Sequence, residues 1–473
     1  MTLFFLGIGG IGMSALARYY HRRGDHVSGY DRTPSPLTAE LVAEGINVVF
    51  DDDPALLPDT VDLVVYTPAV PTETRLFQAC VERGITMKKR AQVLGDLTHG
   101  HRCIAIAGSH GKTTTTTLVA HLLHSSKVGC SAFLGGISKN YDSNLIIDEQ
   151  SDYVVVEADE YDRSFLQLHP HIAVITATDP DHLDIYGSHE AMMDAYIQFA
   201  AQVDADGMLL FKQGIFRTLD GDEYFEYGDH DHHDHDHHEA HHHTRLATPL
   251  STYTAQGFEA DYYAINVRNY GGNLFFDLRT PDGVLFDLEL DGAPLVNVEN
   301  AVAAAAVALR CGVDQFELRH GLKSFAGVRR RFDYRIRTKD LIYIDDYAHH
   351  PEEIARTIES VRYLYPGKRI VGIFQPHLYS RTRDLADQFA QVLATLDEII
   401  MLPIYPAREK PILGVTSSMV LRKVDSMSKY LCTPDQALEL LPALCPDIVL
   451  TLGAGDIDRL VPRIEQLLTS LSD

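Results

Sequence analysis

Positive charge, cysteine and long apolar runs are all scarce in this chain of 473 residues. Its 41 Lys and Arg residues face 66 Asp and Glu residues, a formal net charge of −25. That balance argues against binding to nucleic acid or an anionic membrane, because neutralising phosphates needs basic residues. The six cysteines are scattered without C-x-x-C spacing, no stretch of 18 apolar residues occurs, and the N-terminus has no basic leader. We therefore expect a cytoplasmic protein with reduced cysteines that is neither secreted nor inserted in a membrane.

The segment over residues 103–114, CIAIAGSHGKTT, predicts an apolar strand, a glycine turn and a helix that begins with Lys-Thr. Backbone N–H groups and the positive end of the helix dipole point at phosphate oxygens in such a turn. Lys112 adds a full charge, and the Thr113 hydroxyl can bind Mg2+. The common P-loop spacing requires glycine at position 106, where this chain has Ile106. We interpret the segment as a shortened ATP-phosphate loop; the alternative is a tight turn with a surface lysine.

A second glycine turn, GIGGIG at residues 7–12, follows a predicted strand over 3–6 and opens a helix that extends to about Arg23. The next strand, 26–30, ends at Asp31, 19 residues after the last motif glycine. This layout is typical of a dinucleotide-binding unit. It predicts a diphosphate at the helix N-terminus, unless the glycines serve only close helix–strand packing.

Two acidic clusters follow predicted strands of the central region: EADEYD at 157–162 and DPDHLD at 179–184. Open α/β sheets bind ligands just past the carboxyl ends of their strands. Glu157 and His182 are therefore candidates to hold one or two metal ions beside Lys112 and Thr113. Because Mg2+ prefers oxygen ligands, His182 could instead be a hydrogen-bond donor or a general base. The sequence leaves both roles open.

The last third of the chain repeats one pattern, an apolar strand followed directly by polar residues, and predicts a parallel sheet with one polar edge. Arg329, Arg330 and Arg331 precede it at an apparent hinge, and Arg381 and Arg408 lie within it. The four polar segments are DDYAHHP from residue 345, QPH from 375, YPARE from 405 and GAGD from 453.

Residues 229–243 read DHDHHDHDHHEAHHH, with nine histidines among acids and no apolar face. Such a tract binds Zn2+, Ni2+ or Cu2+ readily. We interpret it as a surface insertion with adventitious metal affinity rather than a dedicated metal store or sensor. Activity is expected to survive its deletion.

A kinase or ATPase would need only the central region, whereas this chain has a second phosphate-type turn and a third region rich in His and Arg. Activation of a carboxylate as an acyl phosphate, followed by attack of an amine, would use all three. A carboxylate about 4 Å from a phosphate charge is repelled by roughly 4 kcal/mol at an effective dielectric near 20. Mg2+, Lys112 and arginines would have to offset that repulsion.

Taken in order, the motifs resemble those of the Mur ligases of peptidoglycan synthesis, in particular the branch that adds L-alanine. The resemblance covers essentially the whole chain. It is carried by GIGGIGMS at 7–14, GSHGKTT at 108–114, EADE at 157–160, DHLD at 181–184, RRF at 330–332, DYAHHP at 346–351, FQPH at 374–377, YSRT at 379–382 and YPARE at 405–409.

The resemblance implies an α/β fold in three domains: a Rossmann-like domain for the UDP substrate over 1–98, a central P-loop-type ATPase domain with a parallel sheet over 99–323, and a Rossmann-like domain over 324–473 that closes on ATP and the amino acid. It implies a cytoplasmic enzyme, monomeric or weakly dimeric, that uses ATP with Mg2+, or Mn2+ in its place. The substrates it implies are UDP-N-acetylmuramate and L-alanine. Such an enzyme supports cell-wall biogenesis, cell shape and division.

The resemblance also assigns roles to residues. For ATP it implies Gly108, Ser109, His110, Gly111, Lys112, Thr113, Thr114, Asn297, Asn300 and Asp346. For the metal it implies Thr113, Glu157 and His182. For the substrates it implies Gly9, Gly10, Ile11, Gly12, Asp31, Thr67, Tyr347, His377 and Arg381. As catalytic residues it implies Lys112, Glu157, His182, Arg331, His349 and Arg381.

Two positions depart from the family pattern: Val296 replaces a frequent His, and Leu378 replaces a frequent Arg, which removes a cation beside the alanine site. Three alternative functions compete with the alanine ligase. A murein-peptide ligase of cell-wall recycling would join a tripeptide instead of alanine. An NAD-dependent oxidoreductase could use residues 7–12 and Asp31, but it leaves Lys112 unexplained. A metal-binding regulatory protein would be built around 229–243.

Overall fold

The structure is a computed structural model that describes residues 1–180, 182–219, 222–226, 246, 248–255, 257, 259–407 and 409–472. The histidine-rich tract 229–243, Asp181 and Arg408 lie outside the described residues. The chain forms two compact units. The first comprises Met1–Ile265, Asp277–Leu288 and Glu299–Phe325; the second comprises Asn266–Phe276, Glu289–Val298 and Ala326–Asp473.

A five-stranded parallel sheet forms at the start of the chain, in the order β3-β2-β1-β4-β5. Its strands are β1 Thr2–Leu6, β2 His26–Tyr30, β3 Asn47–Val49, β4 Leu63–Tyr66 and β5 Met87–Lys89. Its helices are α1 Ile11–Arg22, α2 Pro36–Ala43, α3 Arg75–Glu82 and α4 Arg90–Thr98, with a 3-10 helix at Pro54–Leu56. The strand order reverses at β1, so the glycine turn after β1 lies where such sheets bind ligands.

A ten-stranded sheet follows, in the order β17-β16-β15-β14-β11-β10-β6-β9-β7-β8. Its strands are β6 Arg102–Ala107, β7 Ser131–Ser138, β8 Ser143–Ile146, β9 Tyr153–Glu157, β10 Pro170–Ile175, β11 Met208–Lys212, β14 Leu250–Thr254, β15 Tyr262–Tyr270, β16 Asn273–Thr280 and β17 Gly283–Leu290, while β12 Arg217–Leu219 and β13 Asp222–Glu226 pair separately. The helices are α5 Lys112–His124, α6 Leu183–Tyr186, α7 His189–Ala200, α8 Asn297–Arg310 and α9 Gln315–Ser324, with a 3-10 helix at Tyr161–Gln167. Strand β6 pairs in parallel with both β9 and β10, so the polar segments after all three emerge at one edge.

The second unit contains a six-stranded sheet, in the order β18-β19-β23-β20-β21-β22, parallel except for the antiparallel pair β18–β19. Its strands are β18 Asp333–Arg337, β19 Ile342–Asp346, β20 Ile370–Phe374, β21 Glu398–Met401, β22 Lys429–Leu431 and β23 Ile448–Leu452. The helices are α10 Pro351–Leu364, α11 Tyr379–Asp384, α12 Ala386–Leu393, α13 Ser417–Lys423, α14 Pro434–Leu440 and α15 Val461–Ser472, with 3-10 helices at Leu441–Leu444 and Asp456–Arg459. The predicted parallel sheet with one polar edge is confirmed.

The segment after β9 is anchored by aromatic packing. Phe165 is fully buried in the 3-10 helix Tyr161–Gln167, which begins within the first acidic cluster. Its ring stacks on Phe199 with centroids 4.9 Å apart and meets Tyr196 edge-on at 5.3 Å.

Within the described residues, no helix is long and apolar enough to cross a membrane.

Replacing Phe165 with Ala should lower the free energy of unfolding by about 3–5 kcal/mol, because it empties a ring-sized space in a packed core. Urea denaturation followed by fluorescence and circular dichroism would measure the shift. Phe286→Ala, at a side chain that is 58% exposed, is the matched control and should change stability by no more than about 0.5 kcal/mol. Equal denaturation midpoints for the two variants would contradict this assignment of the core.

Candidate active site

The predicted ATP loop links β6 to α5 through two glycines that both need left-handed backbone conformations. Gly108 has φ +136° and Gly111 has φ +81°. A Cβ on Gly108 would lie 2.2 Å from Thr176 Oγ1, so a side chain cannot fit there. Among the described residues, no side chain caps the N-terminus of α5. Its first-turn N–H groups are therefore available to a phosphate, as the sequence predicts.

Lys112 is held by an internal carboxylate. Its Nζ donates to Glu160 Oε1 at 2.8 Å and also to the carbonyl of Gly108. Glu160 is 1% exposed, and its Oε2 is buried without a hydrogen-bond partner in the described part of the chain. Burial raises the pKa of the Glu160 carboxyl, while the positive charge of Lys112 opposes that rise. Sequence reasoning placed Glu160 inside an acidic cluster but did not single it out.

Thr113, Glu157 and His182 reach the same edge of the ten-stranded sheet, because Glu157 ends β9 while Thr113 and His182 follow the adjacent parallel strands β6 and β10. The Glu157 carboxylate lies over Gly135 of β7, where a Cβ would come within 1.9 Å of Oε2. His182 has φ +53°, and its Nε2 is 3.9 Å from Glu160 Oε1. Carboxylate and hydroxyl oxygens with a buried, unsatisfied carboxylate oxygen nearby suit a divalent cation such as Mg2+.

A different cluster is the one group of described residues whose potential ligand atoms lie within 4.8 Å of one another: His171, Asp204 and Asp206. Arg102 donates to His171 Nε2 at 2.8 Å. That bond places the proton of a neutral ring on Nδ1, the atom that faces Asp204 at 3.5 Å and Asp206 at 3.9 Å. A protonated Nδ1 has no lone pair for a metal, so the cluster reads as hydrogen bonding around a buried histidine.

Asn300 supports the ATP loop from α8. Its Oδ1 accepts a hydrogen bond from Thr115 Oγ1 at 3.2 Å and lies 3.0 Å from where a Cβ on Gly111 would stand. Asn297 begins the same helix one turn earlier. The predicted contacts of both asparagines with ATP stay predictions.

Three side chains surround the first glycine turn. Thr67 lies beside Gly7, where a Cβ would meet its Cγ2 at 2.7 Å, and Asp31 Oδ2 accepts from the backbone N–H of Gly9 at 2.8 Å. Both were predicted for this site. The third, Arg90, was not: its Nη1 lies 2.8 Å from where a Cβ on Gly12 would stand. No sequence signal connects it to the motif, since Arg90 lies 78 positions after Gly12.

In the second unit, five of the predicted residues lie in one cluster around the polar strand ends. The Arg331 guanidinium lies 5.1 Å from the centroid of the Tyr347 ring, and that ring meets His349 edge-on at 5.4 Å. The rings of His349 and His377 are 5.9 Å apart. Arg381 adds a second cation, with Nη1 buried and without a hydrogen-bond partner among the described residues. The structure thus brings together the two imidazoles that the sequence predicted, with Arg381 electrostatically coupled to both.

The protonation of these imidazoles follows from their neighbours. Nδ1 of His349 lies 3.1 Å from the carbonyl of Tyr347 and 3.3 Å from Glu353 Oε2, so Nδ1 is the donor and Nε2 the acceptor in the neutral ring. Burial lowers the pKa of His349. The negative charge of Glu353 opposes this shift, and the positive charge of Arg381 adds to it. Burial, then His349 and Arg381, lower the pKa of His377 to about 4. Both rings are therefore neutral at pH 7.

Asp346 and Leu378 differ from the simplest expectation. The Asp346 carboxylate is buried and accepts from the N–H groups of Phe332 and Ala348 and from the Thr357 hydroxyl, so it organises its own loop in this structure. Burial raises its pKa to about 6. Leu378, where the family often has Arg, has φ +69° directly before α11. A proposed contact between Asp346 and the nucleotide stays a prediction.

A phosphate loop on a parallel sheet, a second glycine turn and a His–Arg cluster define an α/β enzyme of nucleotide-driven transfer chemistry. Three family models match in the order expected: the catalytic domain of the Mur ligase family over residues 2–102, the Mur ligase middle domain over 106–308, and the glutamate ligase domain of Mur ligases over 330–455. The chain belongs to the Mur ligase family, which confirms the resemblance seen in its motifs.

Similar proteins extend over the full length. A UDP-N-acetylmuramate–L-alanine ligase of Parabacteroides distasonis is 47% identical, and the match covers 99% of this chain and 97% of that one. The crystal structure of UDP-N-acetylmuramate–alanine ligase from Thermotoga maritima superposes with a TM-score of 0.81 at 25% identity, covering 99% of both chains. A murein peptide ligase structure from Psychrobacter arcticus gives 0.68 at 20% identity, covering 99% and 98%, a likeness of fold alone.

Replacing Arg381 with Gln should raise the pKa of both His377 and His349, because a positive charge that disfavours their protonation is removed. The imidazole 15N shifts, followed by NMR across pH 3.5–7.5 in the full chain, would report both titrations. The His377 pKa should stay below its ordinary value, since burial is the larger cause.

Arg383→Gln is the matched control, because Arg383 lies two residues away and pairs with Asp384 instead. It should leave both titrations unchanged. An identical shift in the two variants, or none in either, would contradict the proposed coupling.

Proposed function

We propose that this protein joins the carboxylate of UDP-N-acetylmuramate to the amine of L-alanine, with ATP converted to ADP and phosphate through an acyl phosphate. One observation carries the proposal. The chain matches an L-alanine ligase at 47% identity over nearly the whole of both proteins, and its own fold supplies two phosphate-type turns. The reaction is part of peptidoglycan synthesis. We place the enzyme in the cytoplasm, as a monomer or weak homodimer.

The ATP loop would bind and orient the nucleotide. The N–H groups at the start of α5 and the Nζ of Lys112 meet the phosphates, with Gly108 and Gly111 giving the backbone room. Lys112 can leave Glu160 for the γ-phosphate, and the buried carboxylate it leaves keeps that region negative and attractive to a cation. Transfer then places the phosphoryl group on the substrate carboxylate, where Lys112 offsets part of the charge repulsion.

Thr113, Glu157 and His182 would hold Mg2+, with Mn2+ as an alternative. The metal, when bound, neutralises phosphate charge and polarises the phosphoryl group. The hydroxyl and carboxylate oxygens are the ligands that Mg2+ prefers, and the unsatisfied Oε2 of Glu160 adds negative potential beside them. His182 is then the one nitrogen donor of the set, so it is equally suited to hydrogen bonding.

The second unit would handle the amino acid. L-Alanine arrives as an ammonium ion and must lose a proton before its nitrogen can attack. The neutral His349 ring keeps the lone pair of Nε2 for a proton, since Nδ1 is committed to the carbonyl of Tyr347 and to Glu353. Arg381, with a buried Nη1 lacking a partner among the described residues, is suited to the carboxylate of alanine.

The murein-peptide ligase is the second candidate, and the likeness of fold alone supports it. The full-length relative at 47% identity favours alanine as the acceptor. An oxidoreductase is not supported, because it gives no role to Lys112 or to Glu160.

ADP release should require ATP, UDP-N-acetylmuramate and L-alanine together, and Lys112→Ala should lower its rate by at least about a hundredfold. A coupled ADP assay with each amino acid in turn, and with the tripeptide L-Ala-γ-D-Glu-meso-diaminopimelate, would measure this. Lys127→Ala, at an exposed lysine near the other end of α5, is the control and should keep wild-type turnover. Preference for the tripeptide over alanine would overturn the proposed acceptor.

Glu157→Gln should raise the Mg2+ concentration needed for half-maximal ADP release by about tenfold or more, because a neutral amide is a weaker ligand than a carboxylate. Titration of MgCl2 at fixed total ATP, with free Mg2+ calculated, would measure the change. Glu149→Gln is the control. It removes the charge of an exposed glutamate between β8 and β9 and should leave the Mg2+ requirement unaltered. Equal requirements in the two variants would argue against Glu157 as a ligand.

A further inference from the structure

Arg90 stands at the first glycine turn, although it belongs to a distant part of the sequence. It is the first residue of α4, immediately after β5, and it is 22% exposed. Its Nη1 lies against Gly12, in the first turn of α1, at 2.8 Å from a Cβ position that only glycine leaves empty. Any side chain at residue 12 would push this guanidinium away from the turn.

The other end of the guanidinium is fixed by an acid. Arg90 Nη2 donates to Asp159 Oδ2 at 3.0 Å, while Nη1 makes no hydrogen bond within the described residues. Asp159 is adjacent in sequence to Glu160, the carboxylate that holds Lys112 at 2.8 Å. Two neighbouring acids of one loop therefore hold the cation of the first glycine turn and the cation of the ATP loop.

The surroundings of Nη1 suit an anion. No side chain caps α1 among the described residues, so the N–H groups of its first turn face the same region as the guanidinium. Asp31 already accepts from Gly9 on the other side of the turn, which leaves Gly12 and its neighbours as the positive side. In a chain of net charge −25, an anionic ligand depends on such local cations.

We propose that Arg90 binds the diphosphate of the nucleotide sugar through Nη1, and that Asp159 is a positioning residue that orients the guanidinium toward Gly12. The proposal rests on the proposed function, since it requires a UDP substrate at this turn. Arginine suits the role because its planar group can donate to an acid on one side and to a phosphate on the other. A purely structural ion pair between Arg90 and Asp159 is the competing explanation.

Binding of UDP, which has the diphosphate but no sugar carboxylate, tests this directly. Isothermal titration calorimetry of the full chain should show that Arg90→Gln weakens UDP by at least about tenfold, the usual effect of losing a charge-assisted hydrogen bond. UDP-N-acetylmuramate should be weakened by a similar factor. Arg75→Gln, at a 69% exposed arginine of the same sheet region, should bind both ligands like the wild type.

Asp159→Asn separates the two explanations. If Asp159 only positions Arg90, Asp159→Asn should lose no more than about threefold in UDP affinity. Arg90→Lys, which keeps the charge, should recover part of the affinity that Arg90→Gln loses. Equal losses in Asp159→Asn and Arg90→Gln would overturn the proposal in favour of a structural ion pair. A loss with UDP-N-acetylmuramate but not with UDP would overturn it in favour of a contact with the sugar carboxylate. A wild type that binds no UDP would instead refute the proposed function, and a wild type that binds UDP as tightly as Arg90→Gln would refute only this inference.

Discussion

The pairing of Lys112 with the buried carboxylate of Glu160 is the interaction on which the glycine loop after β6 depends. The lysine must stay charged and pointed at the loop, and a partner at 2.8 Å with 1% exposure fixes it there. The pair is not simply stabilising, since burying a carboxylate is costly and raises its pKa. Under the proposed function, the unsatisfied Oε2 leaves a negative region that attracts a cation when phosphates bind.

The same loop also holds a second cation of the first unit. Asp159 holds Arg90 beside the first glycine turn, and Phe165 anchors the segment that follows in the core. In this strongly acidic chain, the cations beside the two glycine turns, Lys112 and Arg90, are thus both tied to carboxylates of one short segment after β9. In the second unit, by contrast, the side chains concerned are kept uncharged. It keeps His349 and His377 neutral through burial and the nearby charge of Arg381, so that an imidazole there can accept a proton.

Much of the fold could be predicted from local pattern. The strand at 26–30 has the predicted bounds, and β20 and β23 end directly before the polar segments that begin at 375 and 453, because apolar runs ended by glycine or polar residues carry their own boundaries. Helix α8 contains an alanine-rich run, Ala301–Ala308, that is buried throughout, as such an apolar run indicates. The candidate site was predictable where chemistry is written in contiguous motifs, as at Lys112, Asp31 and His377. It was not predictable at Arg90 or Glu353, whose importance depends on what packs against them.

By itself, the sequence determined the family, the phosphate loop with its two required glycines, and the alternation of strands and helices, because each is encoded within a few consecutive residues. Only the tertiary structure decided which charged side chains pair with each other. It showed that Lys112 is held by Glu160, that Asp346 organises its own loop, and that Arg90 reaches Gly12. The reason is physical: charge pairing and desolvation are set by distances between residues that parallel strands bring together, and those distances have no local sequence signature.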